Sequence, residues 1–68
     1  MRVMKDYGSV RIVNAGSPYE GDDIRVEWQK NDEWELYRGF NSLSDDYAYQ
    51  NSQNCAIRAV ELLNEQEV

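Results

Sequence analysis

The stretch Ile24-Arg25-Val26-Glu27-Trp28-Gln29-Lys30-Asn31-Asp32-Glu33-Trp34-Glu35-Leu36-Tyr37-Arg38-Gly39-Phe40 decides the fold. Ile24, Val26 and Trp28 alternate with Asp23, Arg25, Glu27 and Gln29, a period of two that fits a strand with one buried face. Beyond Lys30-Asn31-Asp32, Trp34, Leu36 and Phe40 alternate with Glu33, Glu35 and Tyr37, and Arg38 falls on the apolar register. The two runs predict an antiparallel hairpin. A two-residue loop at Asn31-Asp32 would set Trp28 opposite Glu35 and put the apolar sets on opposite faces, because a one-residue slip flips every side chain. A three-residue loop, Lys30-Asn31-Asp32, pairs Trp28 with Trp34, Val26 with Leu36 and Ile24 with Arg38. That register keeps both apolar sets on one face and is the one expected. Asn31 or Asp32 can take the left-handed conformation such a loop needs.

Upstream, Val10-Arg11-Ile12-Val13 is β-branched and short, as a strand requires. Val3 and Met4 either extend it or form a separate strand, with Asp6-Tyr7-Gly8-Ser9 as the turn. The segment from Asn14 to Asp22 is rich in turn formers and predicts a long loop. Downstream, Ser44 is the candidate N-cap, with Asp45 and Asp46 in the first turn, where carboxylates complement the helix dipole. Tyr49, Ser52, Ala56, Ala59, Val60 and Leu63 then share one face of an amphipathic helix, flanked by Cys55, Ile57 and Leu62. Asp46–Gln50 also alternates and offers a fourth strand, but the longer helix is preferred. The tail Gln66-Glu67-Val68 is expected to fray. The expected fold is α+β: a three- or four-stranded antiparallel sheet with one C-terminal helix packed on one face. It forms a single domain over 1–68, with a strand region at 2–14, a loop at 14–22, the hairpin at 23–40 and the helix at 45–64.

Length and composition bound the function. A chain of 68 residues supports one thin core that buries roughly 60% of the unfolded surface. Cys55 is the single cysteine and histidine is absent, so an internal disulfide and a Cys/His zinc site are excluded. The lone cysteine and the lack of an apolar run of signal-peptide length near Met1–Asp6 predict a cytoplasmic protein. Thirteen acidic and seven basic residues give a net charge of −6. That sign opposes nucleic acid and anionic membrane surfaces and favours a basic protein surface as partner.

No catalytic constellation is present. Cys55 sits beside Ala56 on the flank of the helix face, where a packed, inert thiol is expected. The carboxylate groups Glu20-Asp22-Asp23, Asp32-Glu33 and Asp45-Asp46 lack a calcium-loop pattern. Capping accounts for Asp45-Asp46 and turn formation for Asp32. No catalytic residue, metal ligand or cofactor site is therefore assigned, and the chain is expected not to be an enzyme.

The expected register places Glu27 opposite Glu35, Gln29 opposite Glu33 and Arg25 opposite Tyr37 on the outward face. Like charges directly opposite are mildly destabilising. Glu27, Glu33 and Glu35 are accordingly expected to form an acidic ridge with Tyr37 as an aromatic contact, extended by Glu20, Asp22 and Asp23. Such a ridge would dock on the basic groove of a partner protein, one that normally holds nucleic acid. The alternative is a self-associating structural or accessory protein, since thin cores and open sheet edges favour dimers.

The short acidic chain, the tight hairpin Trp28-Gln29-Lys30-Asn31-Asp32-Glu33-Trp34 and the single helix through Cys55-Ala56-Ile57-Arg58-Ala59-Val60 resemble the small accessory proteins of phages and mobile elements. Anti-CRISPR and other anti-defence proteins are similar in size, charge and simplicity. The resemblance implies inhibition by binding a host effector, in some cases by imitating the charge of nucleic acid.

Overall fold

The computed structural model describes residues 1–66. Four strands, β1 (Arg2–Asp6), β2 (Val10–Asn14), β3 (Ile24–Lys30) and β4 (Glu33–Phe40), precede one helix, α1 (Ala48–Gln66). The strands form an antiparallel meander in the order β1-β2-β3-β4. The α+β architecture is as expected. The fourth strand is the separate Val3–Met4 strand, and Asp46–Gln50 leads into helix instead. Of the tail expected to fray, Gln66 closes α1 and Glu67 and Val68 lie outside the described residues.

The helix packs on one side of the sheet through its smallest side chains. Ala48, Ser52, Ala56 and Ala59 are buried, a stripe at helical spacing that lets the backbone press close to the strands. Below them lie Val10, Ile12, Ile24 and Val26, with Met4, Tyr7, Trp28, Tyr37, Phe40, Cys55, Val60 and Leu63 around the rim. Tyr49 and Ile57 turn outward. The cap is Asp45, not Ser44. One Asp45 carboxylate oxygen accepts the Tyr47 amide at 2.9 Å and the other the Asn51 side-chain amide at 2.8 Å. Ser44 donates its hydroxyl back to the Asn41 carbonyl.

The hairpin register differs from the expected one. Trp28 faces Glu35, Gln29 faces Trp34, Lys30 faces Glu33 and Glu27 faces Leu36. The loop is the two-residue one: Asn31 and Asp32 have φ of 54° and 66°, as a type I′ turn demands, and that turn matches the right-handed twist of the strands. The parity conflict is resolved within the strand. A bulge leaves Tyr37 unpaired between the Val26–Arg38 and Glu27–Leu36 pairs, which resets the alternation. Phe40 and Arg38 thereby reach the helix side, while Trp34 and Leu36 stay on the opposite face. β1 carries a matching irregularity at Met4, between Val3 and Lys5, and Met4 turns to the core rim.

Candidate functional site

The register redistributes the residues of the expected ridge. Glu27 lies on the face away from the helix and is half-buried, its carboxylate 2.7 Å from Arg11 Nε. Glu33 and Glu35 lie on the helix side of β4 and are exposed. Tyr37 is no aromatic outpost: its ring packs 4.5 Å from that of Trp28, tilted by 56°. The continuous ridge Glu27–Glu33–Glu35–Tyr37 therefore does not form, because the bulge and the short loop send its members to both faces.

Asp23 is also withdrawn from the surface. It is 5% exposed, and its carboxylate accepts the Ser42 amide at 2.9 Å and the Ser42 hydroxyl at 2.6 Å. Burial pushes its carboxyl up, but the hydrogen bonds from Ser42 and from the backbone amides of Asp23 and Ile24 outweigh this and hold it below its ordinary value. Asp23 thus ties the 14–22 loop end to the segment leading into α1. Asn41 completes the tie by donating its amide to the Pro18 and Gly21 carbonyls. Glu20 and Asp22 remain exposed on this loop, next to the segment that carries Asp45 and Asp46.

Two exposed acidic groups result. One is the hairpin end, with Asp32, Glu33 and Glu35; the other is the loop end, with Glu20, Asp22 and Asp46. The cations are deployed differently. Lys5 lies over Tyr7, Arg11 over Trp34, Lys30 over Trp28 and Arg38 over Phe40, at 5.5, 4.1, 4.0 and 5.5 Å from the ring centroids. Arg25 donates to the Asp22 carbonyl, and Arg58 pairs with Glu61 at 3.1 Å. Six of the seven basic side chains thus touch a ring, a carbonyl or a carboxylate of the protein itself, although Lys5, Arg38 and Arg58 stay exposed, as does Arg2. Three of these contacts join residues two apart in the chain and were within reach of the period-two reading, whereas Arg11 over Trp34 depends on the sheet register.

A groove of about 390 Å³ between β4 and α1 is lined by Tyr37, Arg38, Phe40, Asn51, Cys55 and Arg58, among others. Burial pushes the Cys55 thiol above its ordinary value, opposed by the nearby Arg38 charge. A thiol so placed is a poor nucleophile at neutral pH. Among the described residues no three carboxylates or thiols converge as a metal site would need, and no helix is long and apolar enough to cross a membrane. Comparison with known proteins finds no family model, no curated protein and no solved structure that matches the chain.

Proposed function

We propose that this chain is a non-catalytic protein-binding module, in its sharpest form an inhibitor of the anti-defence type that presents carboxylates to a basic, nucleic-acid-binding surface of a host protein. The observation that carries the reading is the unequal treatment of the two charge signs. Lysines and arginines are laid over Tyr7, Trp28, Trp34 and Phe40, while Asp32, Glu33 and Glu35 project from the hairpin end. At the hairpin end the carboxylates of Asp32, Glu33 and Glu35 outnumber the one cation there, Lys30, which faces Glu33 across the strands. The field around the hairpin is then negative, which steers a basic partner and repels nucleic acid itself. Glu33 and Glu35 replace the ridge as the contact residues, with Glu20 and Asp22 as a separate acidic group.

The test begins with capture of a partner from host lysate by the tagged chain. The affinity of the purified pair is then measured against salt and with Glu33→Lys combined with Glu35→Lys. The expected results are an affinity that falls steeply as salt rises and a loss of ten-fold or more in the double variant. Binding indifferent to both overturns the charge-based reading.

A further inference from the structure

The two flanks of α1 differ in chemistry. Toward the turn between β1 and β2, Val60 and Leu63 meet Tyr7 and Val10 and continue the core. Toward β4 the helix presents Asn51, Asn54, Cys55 and Arg58, one stripe at helical spacing. These side chains form one wall of the groove of about 390 Å³; Arg38 and the rings of Tyr37 and Phe40 form the other. We propose that this groove binds a small organic oxyanion, a phosphate or carboxylate group borne on a planar ring. The proposal is independent of the carboxylates at the hairpin end.

Arg38 carries the argument. Its cross-strand partner is Val26, fully buried in the helix-side core, so packing alone would favour an apolar side chain at this position. An arginine stands there instead, and the bulge at Tyr37 is what turns it to the helix side. Bulges re-aim single side chains in this way beside functional sites. The guanidinium lies 5.5 Å from the Phe40 ring centroid and stays exposed. It forms no ion pair among the described residues. Arg58, on the helix wall, meets Glu61 at 3.1 Å and Glu65 at 4.0 Å. Both contacts use Nη1, so the other guanidinium nitrogens are left to donate. Exposed pairs of this kind are weak.

Charge and shape set the ligand class. The chain has thirteen acidic residues against seven basic ones, yet the groove is lined by two arginines and no carboxylate. Guanidinium groups on facing elements match the oxygens of a phosphate or carboxylate, each able to give paired hydrogen bonds. Asn51, fixed by its amide donating to Asp45 at 2.8 Å, and Asn54 add side-chain amides that can donate and accept at the edge of a ligand. Phe40 and Tyr37 supply ring surface for a planar body. The volume falls at the lower end of the roughly 300–1,000 Å³ typical of small-ligand sites, which suits one ring system with one anionic group.

NMR titration of the isotope-labelled chain with adenosine monophosphate, benzoate and adenosine tests this. The expected result is saturable shifts at Arg38, Phe40, Asn54, Cys55 and Arg58 with one or both anions, and none with adenosine, which has the ring without the charge. Binding of the monophosphate identifies a phosphate ester as the source of the anion, and binding of benzoate a carboxylate. Arg38→Gln, folded by circular dichroism, should weaken binding by about ten-fold or more, the range for a lost charged hydrogen bond. Arg58→Gln should act likewise and serves if Arg38→Gln does not fold. Arg2→Gln removes the same charge from β1, beyond the reach of the groove, and should leave the affinity within about two-fold. The proposal is overturned by the lack of a saturable shift with either anion, by adenosine binding as tightly as its monophosphate, or by indifference to the folded groove variants. An equal effect of Arg2→Gln overturns it too.

Discussion

Trp28 faces Glu35 across the hairpin, and Trp34 lies on the other face of the sheet with its ring 4.1 Å from the Arg11 guanidinium. Each tryptophan therefore has its own partners. Trp28 closes the rim of the helix-side core against Tyr37, and Trp34 packs with Arg11 on the face away from the helix. The two-residue loop sets the tryptophans on opposite faces, and the bulge at Tyr37 then returns Arg38 and Phe40 to the helix side.

The hairpin loop holds two non-glycine residues at positive φ, a conformation costing roughly 1–2 kcal/mol for each ordinary residue and less for Asn and Asp. Asp32→Gly gives the Asn-Gly pair that type I′ turns favour. Urea unfolding should show a gain of about 0.5–1 kcal/mol. Asp32→Val, a β-branched residue forced to positive φ, should lose stability in the same assay.

Asp23 makes stability depend on acid. Its folded pKa lies below the ordinary value of 3.8, so its contribution is fully present above about pH 4 and is lost as pH falls through the folded pKa. Asp23→Asn should cost about 1–3 kcal/mol at neutral pH, the range for a lost charged hydrogen bond. The gap to the parent should narrow on acidification below about pH 4, followed by urea melts at stepped pH.

Gly39 is a glycine because Asp22 lies against it. A Cβ there would stand 2.5 Å from the Asp22 carboxylate oxygen and 3.0 Å from its Cβ. Gly39→Ala should cost about 1 kcal/mol or more by displacing the loop. In an Asp22→Gly background the same change should cost less, giving a coupling of at least about 0.5 kcal/mol in a double-mutant cycle.

The close approach of α1 rests on alanine. Ala56 is fully buried against the sheet, so Ala56→Leu should destabilise by about 1–3 kcal/mol through overpacking. Ile57→Ala, one position on and 51% exposed, should fall within about 1 kcal/mol. Thermal melts distinguish the two.

Much of this architecture was legible locally. Period two marked β3 and β4, β-branching marked β2, and the stripe Ser52, Ala56, Ala59 marked the buried face of α1. The bulge was not, because nothing in Leu36-Tyr37-Arg38 states where the alternation is reset. The parity conflict is visible in the sequence, but the strand resolves it and the loop does not. Arg38 on the apolar register was the available signal, since it shares the helix side with Phe40 only after the phase change. Asp23 read as outward by alternation, and its burial depends on Ser42, which sits nineteen positions along the chain. The acidic ridge inherited the register error, whereas the excess of negative charge did not depend on it.

Proton NMR of the hairpin tests the central claim most directly. The account predicts cross-strand contacts of Trp28 with Glu35 and of Gln29 with Trp34, together with contacts between the Trp34 indole and the Arg11 side chain. Contacts pairing Trp28 with Trp34, with no Trp34-to-Arg11 contact, would contradict it.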